Sequence, residues 1–283
     1  MKEINLQANS LAMMTKIHIN KGYTMTANYQ RLSNTKRYAY ELIKTYYKPN
    51  SFTKGQVFEK FFDEFCKNVF EINLAMFEDI GEFPIAYNEN NAYASIGAAL
   101  HTLTPYAWSE AQINYKDKKH KNDTENSAKI DEKEKWRFVD FWCMNANKEF
   151  EVWIEAKRLW LNIGKNSQWQ FDSAACERIK NALWQIDNIK KAKPYQIAKD
   201  TNFKVALFAI PLSCAASQMP DDKDIKQAPK AVADLLAEFI DNRRNMGVLC
   251  AVLNLDAQGK KEVETLYLND FTPYFALAAV VLE

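Results

Sequence analysis

Five places in the sequence have an acid, any residue and then lysine, beginning at Asp117, Asp131, Glu155, Asp221 and Asp224. Four of them lie in hydrophilic runs, where charged residues are expected and carry no signal. Only Glu155-Ala156-Lys157 is set in an apolar segment, FEVWIEAKRLWL at 150–161. A charge buried there without a partner costs several kcal/mol, so the acid and the base need a reason to be present. Strand alternation places Trp153, Glu155, Lys157 and Leu159 on one face and Val152, Ile154 and Ala156 on the other. The preceding segment, WRFVDFWCM, carries one acid, Asp140. A four-residue turn over Asn145 to Lys148 pairs Met144 with Glu149 and therefore Asp140 with Trp153. Asp140 is then the diagonal neighbour of Glu155 on the same face, roughly 5–8 Å away.

Two carboxylates that close repel each other unless a cation sits between them. Hard oxygen donors at this density suit Mg²⁺, with Mn²⁺ as a substitute, because Mg²⁺ keeps several waters and takes the rest of its shell from substrate phosphate. An amine beside it orients or helps deprotonate the attacking water and offsets charge in the transition state. That chemistry is phosphodiester hydrolysis. The competing explanation is a buried ion-pair network that fixes strand register, against which stands the excess of acid over base.

The elements that must position these residues follow from patterning. Residues 27–48 and 55–78 read as helices separated by Pro49, Asn50 and Ser51, and in the second Val57, Phe58, Phe61, Phe62 and Phe65 form a core-facing stripe. From about residue 84 the order is helix, three strands, helix, strand, helix, two strands. Asn88 to Leu103 is a helix stopped before Pro105. Trp108 to Tyr115, Trp136 to Met144 and Phe150 to Leu161 are strands rich in aromatic and β-branched residues. A helix over 173–192 starts behind Asp172, a suitable N-cap. Phe203 to Leu212 and Gly247 to Leu255 are strands, and the helix between them carries Val232, Leu235, Leu236, Phe239 and Ile240 on one face, with Pro229 in its first turn. Apolar strands separated by helices imply a central sheet covered on both sides. The insertion at 116–135, KDKKHKNDTENSAKIDEKEK, has almost nothing apolar and reads as a solvated loop.

Asp140, the hairpin, and Glu155-Ala156-Lys157 followed by a helix resemble the PD-(D/E)xK nuclease superfamily, over residues 86–212. The resemblance implies an α/β (mixed α+β) fold, a central mixed sheet flanked by helices. A restriction-endonuclease-like core then occupies 86–283, and residues 1–85 form an N-terminal helical region packed on it. It also implies a metal-dependent nuclease acting on DNA, in which Asp140 and Glu155 ligate Mg²⁺ and Lys157 serves the attacking water. The family often adds an acid from the helix before the sheet, and Glu89 matches, because Glu89, Tyr93, Ile96 and Leu100 share one helical face. Glu110, on the first strand, is an auxiliary candidate for the metal. Val139 stands where the motif's proline would, and no QxxxY follows, since Gln185 has Ile189 four residues on. The pattern is therefore endonuclease-like, and a homodimer is the assembly the family suggests. A reading from another class keeps the fold without the activity, as a nucleic-acid or protein-binding module.

Composition narrows the field. Thirty-seven Lys and Arg against thirty-six Asp and Glu leave almost no net charge, so nucleic-acid affinity has to come from local patches. Cys66, Cys143, Cys176, Cys214 and Cys250 are widely spaced with no CxxC, as expected of reduced core thiols in a cytoplasmic protein. No apolar run reaches the ~20 residues that span a bilayer, so no membrane partner is expected. His18, His101 and His120 have no ligand-spaced companions for zinc, and there is no Gly-rich phosphate loop and no GxSxG. All seven tryptophans fall between Trp108 and Trp184, with Trp160 and Trp169 flanking the end of the key strand; core packing explains most of them, and one or two are candidates for stacking on bases. Lys190, Lys191 and Lys193 are candidate phosphate contacts at a helix end, where cations are also ordinary partners of the helix dipole.

Overall fold

The computed structural model describes residues 38–46, 55–114, 136–189, 201–240, 246–255 and 270–283. In chain order these form β1 (Ala39–Tyr46), α1 (Gly55–Ile80), α2 (Glu89–Leu103), β2 (Ala107–Asn114), β3 (Trp136–Met144), β4 (Phe150–Arg158), β5 (Leu161–Asn162), α3 (Ser173–Ile189), β6 (Thr201–Ala215), α4 (Ala228–Ala237), β7 (Met246–Asn254) and β8 (Asp270–Leu282). A one-turn helix, Asp222–Ile225, precedes α4. The strands make one sheet in the order β1-β7-β8-β6-β4-β3-β2, with β5 also paired to β6. β4 and β5 run parallel to β6, and the other neighbours are antiparallel. This is a mixed α/β fold with a central sheet flanked by helices.

Each face of the sheet has its own apolar layer. On β8, Phe275, Leu277, Ala279 and Val281 join the cluster formed with α1 and α2, while Ala276, Ala278, Val280 and Leu282 join the cluster formed with α3 and α4. Period-two alternation on continuous apolar strands is what a sheet covered on both sides requires. The helices start where the sequence marks them. Asn88 accepts a hydrogen bond from Asn91 N at 2.8 Å to cap α2, and Asp172 accepts from Ala175 N at 2.7 Å to cap α3. Pro229 falls in the first turn of α4. All five cysteines are free thiols and four are buried. Among the described residues no helix is long and apolar enough to cross a membrane.

One expected element is different. Residues 39–46, inside the helix expected over 27–48, are β1, an edge strand paired antiparallel with β7 from Ala39↔Asn254 to Tyr46↔Gly247. Tyr40 and Leu42 pack on one core layer and Ile43 on the other. An apolar pair two residues apart suits a strand, and pairing with β7 overrides local helix propensity. Tyr40 also donates from its hydroxyl to Asp63 Oδ1 at 2.7 Å, tying β1 to α1. The strand expected over 150–161 is interrupted after Arg158 and resumes as β5. The expected loop at 116–135 lies outside the described residues.

The expected α1 stripe packs on the core at Phe58, Phe61, Phe62 and Phe65 but not at Val57, which faces solvent. Phe58 is 1% exposed, with its ring centroid 4.5 Å from that of Phe203 on β6, whereas Val57 beside it is 44% exposed. Phe58→Ala should therefore cost about 3–5 kcal/mol in urea unfolding, and Val57→Ala no more than about 0.5 kcal/mol. Equal losses at the two positions would contradict this placement of α1.

Candidate active site

The hairpin register differs from the expected one by two residues. Met144 pairs with Glu151 and Trp142 with Trp153, and the β3–β4 ladder ends at Phe141↔Ile154. Continuing that register puts Asp140 opposite Glu155 rather than diagonal to it. Because the shift is even, Glu155 keeps its face, so the slip does not move its side chain across the sheet.

β3 does not continue as a regular strand past Phe141. Phe141 packs in the core layer of α1 and α2, whereas Val139, two residues away, packs in the layer of α3 and α4. Residues two apart share a face in a regular strand, so β3 rolls over at Asp140. Glu110, between the paired rungs Ser109↔Phe141 and Ala111↔Val139 on β2, has φ 53°, a left-handed value that is strained for a side chain of this kind. Beyond this crease β3 stays with β2 and parts from β4. The Asp140 carboxylate enters the gap and accepts the Ala156 N–H through Oδ2 at 2.7 Å, replacing a lost ladder bond. Tyr93 of α2 donates to one of three acceptors around its hydroxyl: Asp140 Oδ2 at 2.8 Å, Ala156 O at 2.9 Å or Glu89 Oε1 at 3.1 Å.

Lys157 Nζ is at the centre of the cluster. It is 2.7 Å from Glu155 Oε1, 3.6 Å from Asp140 Oδ2 and 3.9 Å from Glu89 Oε1, and also donates to Ala156 O at 3.1 Å. Arg178 of α3 closes the other side, with Nη1 3.5 Å from Glu89 Oε2 and 3.1 Å from Arg158 O. Side-chain exposure rises from 4% at Glu155 through 17% at Lys157 and 20% at Asp140 to 36% at Glu89 and 53% at Arg178, so the cluster opens to solvent along Glu89 and Arg178.

The electrostatics follow from this gradient. Burial, then the charge and hydrogen bonding of Asp140, push the Glu155 carboxyl up to about 7 against the opposing pull of Lys157. For Lys157 burial acts downward, but the hydrogen bond and charge of Glu155, with Asp140 and Glu89, outweigh it and hold the amine above its usual range. Burial and the neighbouring acids raise the Tyr93 phenol, which stays protonated and able to donate.

Asp140, Glu155, Lys157 and Glu89 are therefore together. Glu110 is exposed and has no hydrogen bond or ion pair to the cluster among the described residues. Tyr93 and Arg178 join the site without having been singled out for it. Tyr93 was legible as part of Glu89's helical face, but nothing in the sequence around Arg178 marks it. Trp160 lies against Arg158, 5.5 Å from guanidinium carbon to ring centroid, and Trp169 donates to Ile163 O at 3.0 Å, so both are engaged within the protein. Lys190, Lys191 and Lys193 lie outside the described residues. No family model, curated protein or solved structure matches the chain.

A carboxyl held near 7 when folded and near its ordinary value of about 4.5 when unfolded binds more protons in the folded state, so it favours folding below about pH 4.5 and loses that contribution as pH rises through 7. In EDTA, Glu155→Gln should gain on wild type between about pH 5 and pH 8, by on the order of 2 kcal/mol. Denaturant unfolding at both pH values measures this. A wild-type-to-variant gap that stays constant would remove the case for a protonated, acid-paired Glu155.

Proposed function

We propose that this cluster is the active site of a divalent-metal-dependent nuclease that hydrolyses phosphodiester bonds in DNA, on a fold of the PD-(D/E)xK type. The observation that supports it most is how the buried Glu155 and the partly buried Asp140 are held. Asp140 Oδ2 is occupied by Ala156 N–H, Tyr93 and Lys157, and Glu155 Oε1 by Lys157. Among the described residues, Asp140 Oδ1 and Glu155 Oε2 receive no amine, hydroxyl or main-chain hydrogen bond. Donors of the protein thus hold one oxygen of each acid, and the two acids share a hydrogen bond with each other, which a divalent cation would replace.

This donor set fits Mg²⁺ or Mn²⁺. Among the described residues no group of three His, Cys, Asp or Glu side chains is arranged to hold a metal. Two carboxylates with water and phosphate oxygens are nevertheless an ordinary Mg²⁺ shell. Asp140 and Glu155 would hold the ion, and when bound it would supply Lewis acidity toward a phosphate oxygen and make a nearby water more acidic. The chain's own groups do the rest. The Ala156 N–H and the Tyr93 hydroxyl fix the orientation of Asp140. Lys157 keeps two acids close despite their repulsion, and its ammonium stabilises the negative charge that builds on phosphorus-bound oxygens during attack. The 17% exposure of the Lys157 side chain limits screening of that charge by water.

With labelled DNA and Mg²⁺, Lys157→Ala should retain Mn²⁺ binding by calorimetry yet lose cleavage by roughly a hundredfold or more. Glu155→Gln should lose both. If neither wild type nor Asp140→Ala responds to Mn²⁺ while both remain folded, the non-catalytic binding module is the correct reading.

A further inference from the structure

Glu89 has a place in this cluster that a third metal ligand would not need. Its two oxygens face two different cations, Oε1 toward Lys157 Nζ at 3.9 Å and Oε2 toward Arg178 Nη1 at 3.5 Å. Both distances exceed those of good charge-assisted hydrogen bonds, ~2.7–2.9 Å, so the carboxylate is shared between the cations and held tightly by neither. Lys157 comes from β4 and Arg178 from α3, while Glu89 reaches them from the first turn of α2, on the opposite face of the sheet. Arg178 is half exposed, and among the described residues its only hydrogen bonds and ion pair are to Glu89 and Arg158 O, both through Nη1. Nε and Nη2 are therefore available to an incoming acceptor, and a guanidinium fork matches two oxygens of a phosphate. An exposed ion pair of this quality contributes little to stability, so displacing it costs little.

We propose that Lys157 and Arg178 form the seat of a phosphodiester anion, and that the Glu89 carboxylate occupies it in the substrate-free protein. Glu89 is thus an internal competitor of the substrate. A nucleic-acid strand enters by displacing it, and one negative group replaces another between the same two cations without leaving either unpaired. This rests on the nuclease reading for the identity of the substrate. It departs from the expectation that Glu89 assists the metal, because loss of a metal ligand weakens Mn²⁺ binding, whereas loss of a competitor leaves Mn²⁺ binding unchanged and tightens DNA binding through Arg178.

The test uses the full chain and a fluorescein-labelled single-stranded oligodeoxynucleotide, with anisotropy read in EDTA so that neither metal nor cleavage intervenes. Glu89→Gln should tighten binding by about tenfold and steepen its salt dependence by roughly 0.7 in log–log slope, the value of one further phosphate contact. Arg178→Ala should weaken binding, Arg178→Lys should restore only part of it, and in Arg178→Ala the Glu89→Gln gain should shrink to about twofold or less. Glu110→Gln controls for a general loss of negative charge and should give a smaller gain that Arg178→Ala leaves unchanged. Mn²⁺ affinity of Glu89→Gln should match wild type. Unchanged or weaker binding by a folded Glu89→Gln overturns the inference, as does a gain that survives Arg178→Ala or equals that of Glu110→Gln. A failure of wild type to cleave DNA with Mg²⁺ instead strikes the nuclease reading, and the two failures are read in separate measurements.

Discussion

The bond on which the site depends is the one from Ala156 N–H to the Asp140 carboxylate. A main-chain donor buried between two strands must be paired, and where β3 parts from β4 no carbonyl is left to do it. Asp140 supplies the acceptor from its side chain and Lys157 Nζ donates to the Ala156 carbonyl, so both polar groups of one residue's main chain are met by side chains. This lets the sheet open locally without an unsatisfied group. It also fixes a carboxylate in the plane of the sheet, where a regular strand would have pointed it to one face. The rollover between Phe141 and Val139 and the left-handed Glu110 are the backbone cost of that arrangement.

Charge then accounts for what surrounds the opening. Glu155 is almost fully buried beside Asp140, and burial together with like charge would expel one of the two if nothing opposed them. Lys157 opposes them, yet it cannot neutralise Asp140, Glu155 and Glu89 at once. Arg178 takes up part of the remainder at the solvent side. The cluster is consequently graded, with a proton or cation favoured between the inner acids and an anion tolerated between the outer cations. A purely structural ion-pair network has no need of that separation, since matched pairs bury charge more cheaply than an excess of acid does.

Much of this was legible in the sequence for a simple reason: a charge in an apolar strand is conspicuous. The apolar setting of Glu155 and Lys157 and the face shared by Glu89 and Tyr93 rest on local periodicity, the cap at Asp172 rests on residue type, and the structure places each as expected. The two-residue register error had a local cause as well, since several turns can close Asn145–Glu149 and the sequence does not choose among them. The faces survived because the slip was even. What stayed hidden depends on long-range pairing. Residues 39–46 carry aromatic and β-branched side chains compatible with either element, and only β7 makes them a strand. Arg178 is an ordinary surface arginine until the parallel β4–β6 connection sets α3 beside the end of β4.

That connection is also why the cluster can be reached from both sides of the sheet. Parallel strands require a crossover long enough to hold a helix, and α3 covers one face in the course of linking β4 to β6. α2 covers the other face before the chain enters β2. A regular sheet would keep these layers apart by its full thickness, with side chains from the two helices meeting only at an edge. The crease at Asp140 makes an internal edge between β3 and β4, and there Glu89 of one layer meets Arg178 of the other at 3.5 Å. The gap that costs the sheet a rung of hydrogen bonds is thus the place where groups from two opposed layers and the strand between them act on one volume, and a wholly antiparallel hairpin stack without the crossover helix would have nothing to place there.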